Sequence, residues 1–413
     1  MTLQTLLTNE ISITFFALFI LLLFSFVFGK LFELIKAPKV VGEIFGGMLI
    51  GGSCLALFFP DLINSIFNFF PEEGKVLNIF YQLGLVFLMF SSGYNTSIEM
   101  NKKNFKDYSL LFLGATVLPM GLSLFFTGLF KDAFIGSANN NIAYSIVFAI
   151  SAAITSIPVI SKIFFDIGIM NTKFSNMVLT VSTVQDLLLW IMLNLSINLV
   201  QTGKFSIWSL LATTVTTIGL LILVKLIEYF VKKKNFKISK NLLPISFLLT
   251  FIIIFLFSKL NINIMYSAFI AGYLIKVISP ENNKEIDKIK DISFSLFIPV
   301  YFALVGIQLD VIHNFSILRF LLFFIIAFGL EFVGTTLPLF LTKFKKTTIF
   351  SLGVTMNARG GPGIVLATTA FAYNIISLEF FTVLIITTMI SSMIAGYWLR
   401  FVFNKNKNAF NEL

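Results

Sequence analysis

The chain has 413 residues, of which 57% are hydrophobic and only 12% charged, and it carries a formal net charge of +10. A water-soluble domain of this length must face water over its whole surface, so it has no place for so large an apolar fraction. The basic residues lie in short loops between apolar segments, which excludes a nucleic-acid-binding surface, and the single cysteine, Cys54, excludes an internal disulfide bond. The composition therefore indicates a protein whose surface faces lipid.

Apolar segments long enough to cross about 30 Å of hydrocarbon recur along the whole chain. We predict thirteen membrane-spanning helices, at residues 12–28, 40–57, 77–96, 108–130, 141–165, 174–200, 206–230, 242–258, 262–279, 292–309, 316–342, 348–373 and 378–402. The predicted fold class is an all-α polytopic membrane protein, with one transmembrane domain over residues 1–413.

Basic residues alternate between the two ends of the predicted helices. Of the 30 lysines and arginines, 24 lie in loops after odd-numbered helices or in the C-terminal tail, and only four lie in the opposite loops. Positive charge stays on the cytoplasmic side during membrane insertion. We therefore expect the N-terminus outside and the C-terminus in the cytoplasm, in a plasma or inner membrane.

The two halves of the chain resemble each other weakly. Residues 141–186 align with residues 347–392, so that the helix-breaking segment 155–158 (Thr-Ser-Ile-Pro) falls opposite 361–364 (Gly-Pro-Gly-Ile). Two further matches pair Gly47 with Gly272 and Gly93 with Gly306. Six helices, a linker helix and six more would make two inverted repeats with interrupted helices, an arrangement typical of secondary transporters.

Three acidic residues lie deeper in the predicted helices than the others: Glu43, Asp186 and Glu331. An ionisable group at membrane depth costs roughly 2.5–3.5 kcal/mol on insertion scales, so it normally has a function or a partner. Glu43 lies about one turn into its helix, where a structural role near the helix N-terminus and a functional role are equally compatible with its position. Asp186 lies near the middle of the 174–200 helix, close to the bilayer centre.

Asp186 has polar neighbours that suit an alkali cation. Ser182 and Gln185 precede it on the same helix, and Thr155 and Ser156 lie at the first predicted break. A carboxylate that binds either a proton or a cation, but not both, is the simplest device for exchange. The hydroxyl, amide and freed carbonyl oxygens would complete the shell of the cation.

Four motifs, in this order, resemble those of the monovalent cation:proton antiporter-2 family of sodium–proton and potassium–proton exchangers. They are Val41-Gly42-Glu43-Ile44-x-x-Gly47; Leu83-Gly84-Leu85-x-x-Leu88 ending at Ser92-Gly93; Ala152-x-x-Thr155-Ser156-x-Pro158-Val159 followed by Gln185-Asp186; and Met356-Asn357-Ala358-Arg359-Gly360. The last two motifs resemble the family's two crossing, unwound helices. Pro158, Asn357 and Arg359 therefore join the expected site as supporting residues.

The resemblance implies a homodimer with the sodium/proton antiporter fold, in which a core part moves like an elevator against a scaffold part and carries the Asp186 site. We expect the scaffold at 12–57 with 242–280, the core at 77–200 with 291–403, and a linker helix at 206–230. Electrogenic relatives have two carboxylates where this chain has Gln185 and Asp186. The resemblance thus implies electroneutral exchange of one monovalent cation, sodium or potassium, per proton, without a cofactor.

One position departs from the family pattern. Many relatives have a lysine or arginine on the helix before the second crossing helix, whereas the 316–342 helix has Glu331 near that place. Glu331 would then pair with Arg359 or act as a second proton carrier. Arg359 itself is either a fixed counter-charge or a direct participant in transport.

Two other functions stay open at this point. One is a sodium-coupled organic-anion transporter of the same architecture, and the other is a non-transporting sensor. The sequence does not match an intramembrane enzyme well. An intramembrane protease requires paired aspartates, and an acyltransferase requires a histidine in or near the membrane. The only histidine, His313, lies in a short loop, where a solvated surface position is expected.

Overall fold

The computed structural model of the chain describes residues 5–95, 105–170, 172–203, 241–259, 264–279 and 284–405, with isolated positions between 219 and 233 and at 410. Over this part of the chain the secondary structure is helical. The helices are α1 (Thr8–Leu34), α2 (Lys39–Ile50), α3 (Glu73–Asn95), α4 (Phe105–Phe134), α5 (Asn141–Ser151), α6 (Ile157–Asp166), α7 (Lys173–Thr202), α8 (Leu242–Lys259), α9 (Ile264–Ile278), α10 (Lys284–Ile307), α11 (Ile317–Leu339), α12 (Lys346–Met356), α13 (Gly360–Ala372) and α14 (Leu378–Lys405). Two short helices, Leu55–Phe58 and Pro60–Phe67, lie between α2 and α3.

The helices match the predicted spans closely. Among the described residues, nine helices are long and apolar enough to cross a membrane, if α2 is counted through to Phe58. Helix α9 is a shorter apolar helix, and the predicted spans 141–165 and 348–373 are each split in two, into α5 with α6 and α12 with α13. The predicted linker helix 206–230 lies outside the described residues except for isolated positions.

The outer surface is apolar, as a lipid-facing surface must be. Phe15 and Phe26 of α1 and Leu248 of α8 are each 68% exposed. Such large exposed side chains along entire helices would be a liability in water but are the preferred composition against hydrocarbon. The prediction of a polytopic membrane protein is confirmed.

Side chains at the helix ends explain where several helices begin. The side chains of Asn140, Thr172 and Ser316 accept hydrogen bonds from the backbone N–H groups three residues later, at the starts of α5, α7 and α11. These bonds satisfy donors that the first turn of a helix cannot satisfy itself. Helix α7 ends at Thr202 and is followed by Gly203, whose φ of +66° is readily adopted only by glycine.

The helices pack in two sets. Helices α1, α2, α3, α8, α9 and α10 pack mainly against one another and form the first set, and α4 to α7 pack with α11 to α14 and form the second. This packing differs from the expected grouping, which had placed residues 77–96 and 292–309 in the second set. Helix α3 lies chiefly against α9, and α10 lies chiefly against α2.

Glycine contacts give the physical reason for these pairings. Gly93 of α3 and Gly272 of α9 each lie against the backbone of the other helix, and Gly47 of α2 and Gly306 of α10 do the same. An added Cβ at any of the four would lie well inside 3.0 Å of a backbone oxygen. Small residues allow such close backbone approach in membranes, where packing rather than water expulsion holds helices together.

Candidate functional site

The first break in a helix lies between α5, which ends at Ser151, and α6, which begins at Ile157. Thr155 and Ser156 lie in this break and are fully buried. The Thr155 hydroxyl donates to the carbonyl oxygen of Met356 at 2.6 Å, and the backbone N–H of Ser156 donates to the carbonyl oxygen of Ala358 at 2.6 Å. The two broken helices therefore meet at their breaks, where each satisfies backbone groups of the other.

The second break covers residues 357–359, between α12 and α13. Gly360 follows it with a φ of +39°, and a Cβ there would collide with the side chain of Ser156. The backbone N–H of Gly360 donates to Ser392 Oγ of α14 at 3.1 Å. The sequence predicts a helix breaker at 361–364, but this segment belongs to the first turn of α13. Pro362 is therefore placed like the half-buried Pro158, which lies in the first turn of α6.

A buried ion pair stands beside the two breaks. Arg359 Nη2 lies 3.1 Å from Glu331 Oε2, and the two side chains are 2% and 0% exposed. The same Nη2 lies 3.5 Å from Asn357 Oδ1, while the Thr155 hydroxyl lies 3.5 Å from Glu331 Oε1. Two alternatives are open for Glu331 from the sequence, an ion pair with Arg359 or a role as a second proton carrier. In the structure Glu331 lies in an ion pair with Arg359. The pair holds α11 to both breaks and cancels the charge of the arginine.

Asp186 is buried inside the second set, with an exposed fraction of 1%. Its Oδ1 atom has no hydrogen-bond partner, and the same holds for Ser182 Oγ and Gln185 Oε1. Residues 182, 185 and 186 share one face of α7, because they are three and four positions apart. Buried oxygens that lack hydrogen-bond partners are costly; a cation could be bound by all three, and a proton by the carboxylate. The arrangement suits exchange of these two ligands.

The amide nitrogen of Gln185 is fully engaged. It donates to the carbonyl oxygen of Ala115 in α4 at 3.2 Å and to the carbonyl oxygen of Ala153 in the first break. The structure thus brings Gln185 to Thr155 and Ser156 through the break, and brings Glu331, Asn357 and Arg359 to the same place from the other half. Among the described residues, no group of three or more histidine, cysteine, aspartate or glutamate side chains suits a transition metal.

Two other candidate residues lie apart from this site. Glu43 is 3% exposed in α2, within the first set, and pairs with Lys39 at 3.2 Å. His313 lies in the loop between α10 and α11, where it is largely exposed and contacts Asp310 at 3.2 Å. Burial alone would raise the pKa of Asp310, but hydrogen bonds from His313 and Asn314 hold this pKa below its usual value. The loop position expected for His313 is confirmed.

Two contributors to the site are not predicted from the sequence. Ser392 of α14 accepts the N–H of Gly360, and the Ala115 carbonyl accepts from Gln185. A buried serine in an apolar helix is a weak signal, because such residues often bond their own helix backbone. The carbonyl carries no signal of its own, although Pro119 four residues later marks a missing helix donor.

Comparisons with known proteins identify the family of the chain. Residues 16–405 match the family described as sodium/hydrogen exchanger, transmembrane. The chain is 24% identical over 410 residues to the Na(+)/H(+) antiporter NhaS4 of Synechocystis sp., covering 94% of this chain and 97% of the relative. It is 22% identical to cation/H(+) antiporter 18 of Arabidopsis thaliana, with 95% of this chain covered, but spans about half (49%) of that plant relative.

A likeness to a solved structure supports the fold. The sodium proton antiporter MjNhaP1 from Methanocaldococcus jannaschii superimposes with a TM-score of 0.64 at 14% identity, over 96% of this chain and 97% of that one. At such low identity the likeness speaks for the fold alone. The family match over nearly the whole chain carries the assignment, and the chain belongs to the sodium/hydrogen exchanger family of multi-pass integral membrane transporters.

Proposed function

We propose that this chain exchanges a monovalent cation, sodium in the first instance, for protons, with Asp186 binding one or the other. The observation that carries the proposal is the position of Asp186, which is buried, has an unpartnered Oδ1, and shares a helix face with the unpartnered oxygens of Ser182 and Gln185. Thr155 and Ser156 lie at the adjoining break and complete the proposed ion site. No described residue forms an ion pair with Asp186, so the carboxylate is left to its transported ligands.

The charges of the site support electroneutral exchange. Glu331 and Arg359 neutralise each other at 3.1 Å, so Asp186 is the remaining formal charge among the site residues discussed. One negative group that alternates between one proton and one cation returns the site to the same charge at each half of the cycle. Exchange of one cation for one proton then moves no net charge across the membrane.

The packing supports an elevator-type cycle. The ion site lies entirely within the second helix set, which makes few contacts with the first. We propose that the second set carries the site between the two faces while the first set forms the scaffold of a homodimer. The alternating basic loops favour an N-terminus outside and a cytoplasmic C-terminus, and the names of the relatives favour sodium, with potassium as the alternative cation.

Purified protein in sealed proteoliposomes tests the proposal. Adding external sodium should release protons and restore the fluorescence of a pH-quenched dye in the native protein, whereas Asp186→Asn should abolish this signal. The control Asp310→Asn removes a loop carboxylate and should leave the rate unchanged. Sodium should also raise the thermal stability of the native protein but not of Asp186→Asn, because a ligand stabilises only the folded state that binds it.

The outcomes separate the alternatives. Retained sodium-driven proton movement in a folded Asp186→Asn protein would refute the role of this carboxylate. Sodium uptake that requires an organic anion would favour the coupled carrier instead. Repeating the assay with potassium and lithium chloride identifies the transported cation.

A further inference from the structure

The π turn in α4 contains a carbonyl group, that of Ala115, whose α-helical donor is missing. This five-residue π turn, Leu113–Val117, is followed by Pro119. The α-helical bond from residue 119 to the carbonyl of residue 115 cannot form here, because proline has no N–H, so within the helix only a π-type bond from residue 120 is available to this carbonyl. The carbonyl oxygen of Ala115 accepts a hydrogen bond at 3.2 Å from the side-chain amide of Gln185, which belongs to α7.

The first break presents a second such carbonyl. Ala153 lies between the end of α5 and the start of α6, outside both helices, and is fully buried. Its carbonyl oxygen accepts from the same Gln185 amide nitrogen. A primary amide has two N–H donors, so both are used, one for each carbonyl. Its oxygen, Oε1, is left without a partner beside Asp186.

We propose that Gln185 is a positioning residue, whose amide supplies the donors that Pro119 and the first break withhold and so holds α4 and the break against Asp186. This inference rests on the proposed function and deepens it. Gln185 acts through its nitrogen, and the chemistry required at position 185 is a double hydrogen-bond donor. A carboxylate of the same size would face two carbonyl oxygens with acceptors, so adding a second acid here does more than add a charge.

Two isosteric variants and one compensating substitution test the role. Gln185→Met keeps the size and removes both donors, and Gln185→Glu keeps the size and replaces the donors with acceptors. Each should lower the maximal exchange rate at saturating sodium by about tenfold, the effect expected when a buried hydrogen-bond partner is lost. Pro119→Ala supplies the missing N–H, which reaches the Ala115 carbonyl when this turn closes to α-helical geometry. The variant with both Gln185→Met and Pro119→Ala should therefore exchange at least about threefold faster than Gln185→Met alone.

The other π turn provides a matched control. Ser293–Phe297 in α10 is likewise followed by a proline, Pro299, but lies in the first helix set, away from the ion site. Pro299→Ala should give no recovery when combined with Gln185→Met. Hydrogen–deuterium exchange supplies a readout that is independent of transport. Gln185→Met should increase exchange in peptides covering 113–123 and 150–157, Pro119→Ala should reverse the increase in the first, and peptides of α9 should not change.

Three results would overturn the proposal. A protonated glutamate has only one donor, so native rates in Gln185→Glu would mean that the double donor is not required and that the residue acts as an ion ligand through oxygen. If Pro119→Ala and Pro299→Ala raised the rate of Gln185→Met equally, or if neither raised it, the effect of Gln185 would not depend on the Ala115 carbonyl. Where Gln185→Met fails to fold, the folded yield with and without Pro119→Ala replaces the rate. If the native protein proved inert in transport, the hydrogen–deuterium exchange measurements would still decide whether Gln185 is a positioning residue.

Discussion

The buried ion pair of Glu331 and Arg359 predicts unequal costs for two substitutions that each remove one charge. Arginine keeps its charge in proteins, whereas a glutamate that has lost its partner can bind a proton and become neutral. Glu331→Gln therefore leaves a buried, unpaired guanidinium, of which Nε and Nη1 already lack partners. Arg359→Gln leaves a carboxyl group that has a neutral form available. We expect Glu331→Gln to destabilise the protein more.

The loss of stability expected for each substitution follows from the burial of both side chains. Breaking a buried ion pair from one side costs about 3–5 kcal/mol, because the remaining charge is uncompensated, whereas replacing both partners is far less costly. The double variant Glu331→Gln/Arg359→Gln should therefore be more stable than Glu331→Gln alone. Arg319 and Glu379 provide a control of the same chemistry, bonded through Nε–Oε1 at 2.5 Å and Nη2–Oε2 at 2.9 Å, but with Arg319 46% exposed. Exposed pairs contribute about 0.2–1 kcal/mol.

Two double-mutant cycles measure the difference, with unfolding followed in mixed detergent micelles as the fraction of dodecyl sulfate is raised. The coupling energy of the buried pair should exceed that of the exposed pair by about 2 kcal/mol or more. Equal coupling energies, or a Glu331→Gln protein as stable as the native one, would refute the reasoning. Such a result would mean that the charge of Arg359 is compensated by another group or by water.

Three further predictions use other features of the molecule. Gly93→Ala should cost about 1–3 kcal/mol of stability or prevent folding, because the new Cβ would collide with the carbonyl oxygen of Phe269. The control Gly121→Ala has open space around the new Cβ and should stabilise α4 slightly. Tyr397→Phe removes a 2.9 Å hydrogen bond to the carbonyl of Ile35 and should speed deuterium exchange in the turn between α1 and α2, whereas Tyr94→Phe should not. Proton release driven by sodium should have the same rate at zero and at imposed membrane potential, and a clear dependence would contradict one-for-one exchange.

The sequence predicts the helices well because each one carries its own evidence. The span 174–200 contains the apolar run that the structure extends over Lys173–Thr202, and lipid imposes helix on any such run. The breaks, at 152–156 and 357–359, lie at or just before the predicted breaker segments 155–158 and 361–364, because proline and glycine act locally. The second break begins four residues earlier than the breaker segment, because proline is well accommodated in a first helical turn.

Helix partners and side-chain partners are less visible in the sequence. The motifs around Gly93 and Gly306 indicate a close helix contact, but they do not identify the opposite helix. The packing of α3 against α9 and of α10 against α2 is therefore not predicted from the sequence. The pairing of Glu331 with Arg359 was one of two open alternatives, since it depends on how α11 is rotated about its axis. The link from Gln185 to a carbonyl of α4 depends on a backbone group that every residue possesses, and no sequence pattern selects it.

The contacts of the two sets differ in a way that bears on motion. Within the first set, the same close glycine contact joins α2 to α10 and α3 to α9, and each joins one half of the chain to the other. Contacts that exclude even a Cβ cannot slide, because every step would force backbones together. Between the sets, the described bonds are made by side chains: Thr368 contacts the hydroxyl of Tyr301 at 3.4 Å, and Tyr397 and Arg400 of α14 donate to carbonyl groups of the turn between α1 and α2.

Side chains that donate to carbonyls can change partners along a row of carbonyls or waters at small cost, which supports the proposal that movement takes place along the boundary between the sets. Asp186, both breaks and the pair of Glu331 with Arg359 all lie on one side of that boundary. We infer that the site travels as one unit, with its internal hydrogen bonds intact. A disulfide introduced across the boundary should then stop sodium-driven proton release, whereas one introduced between α12 and α14, inside the second set, should leave it running. Arrest by both would argue that the second set must deform internally during the cycle.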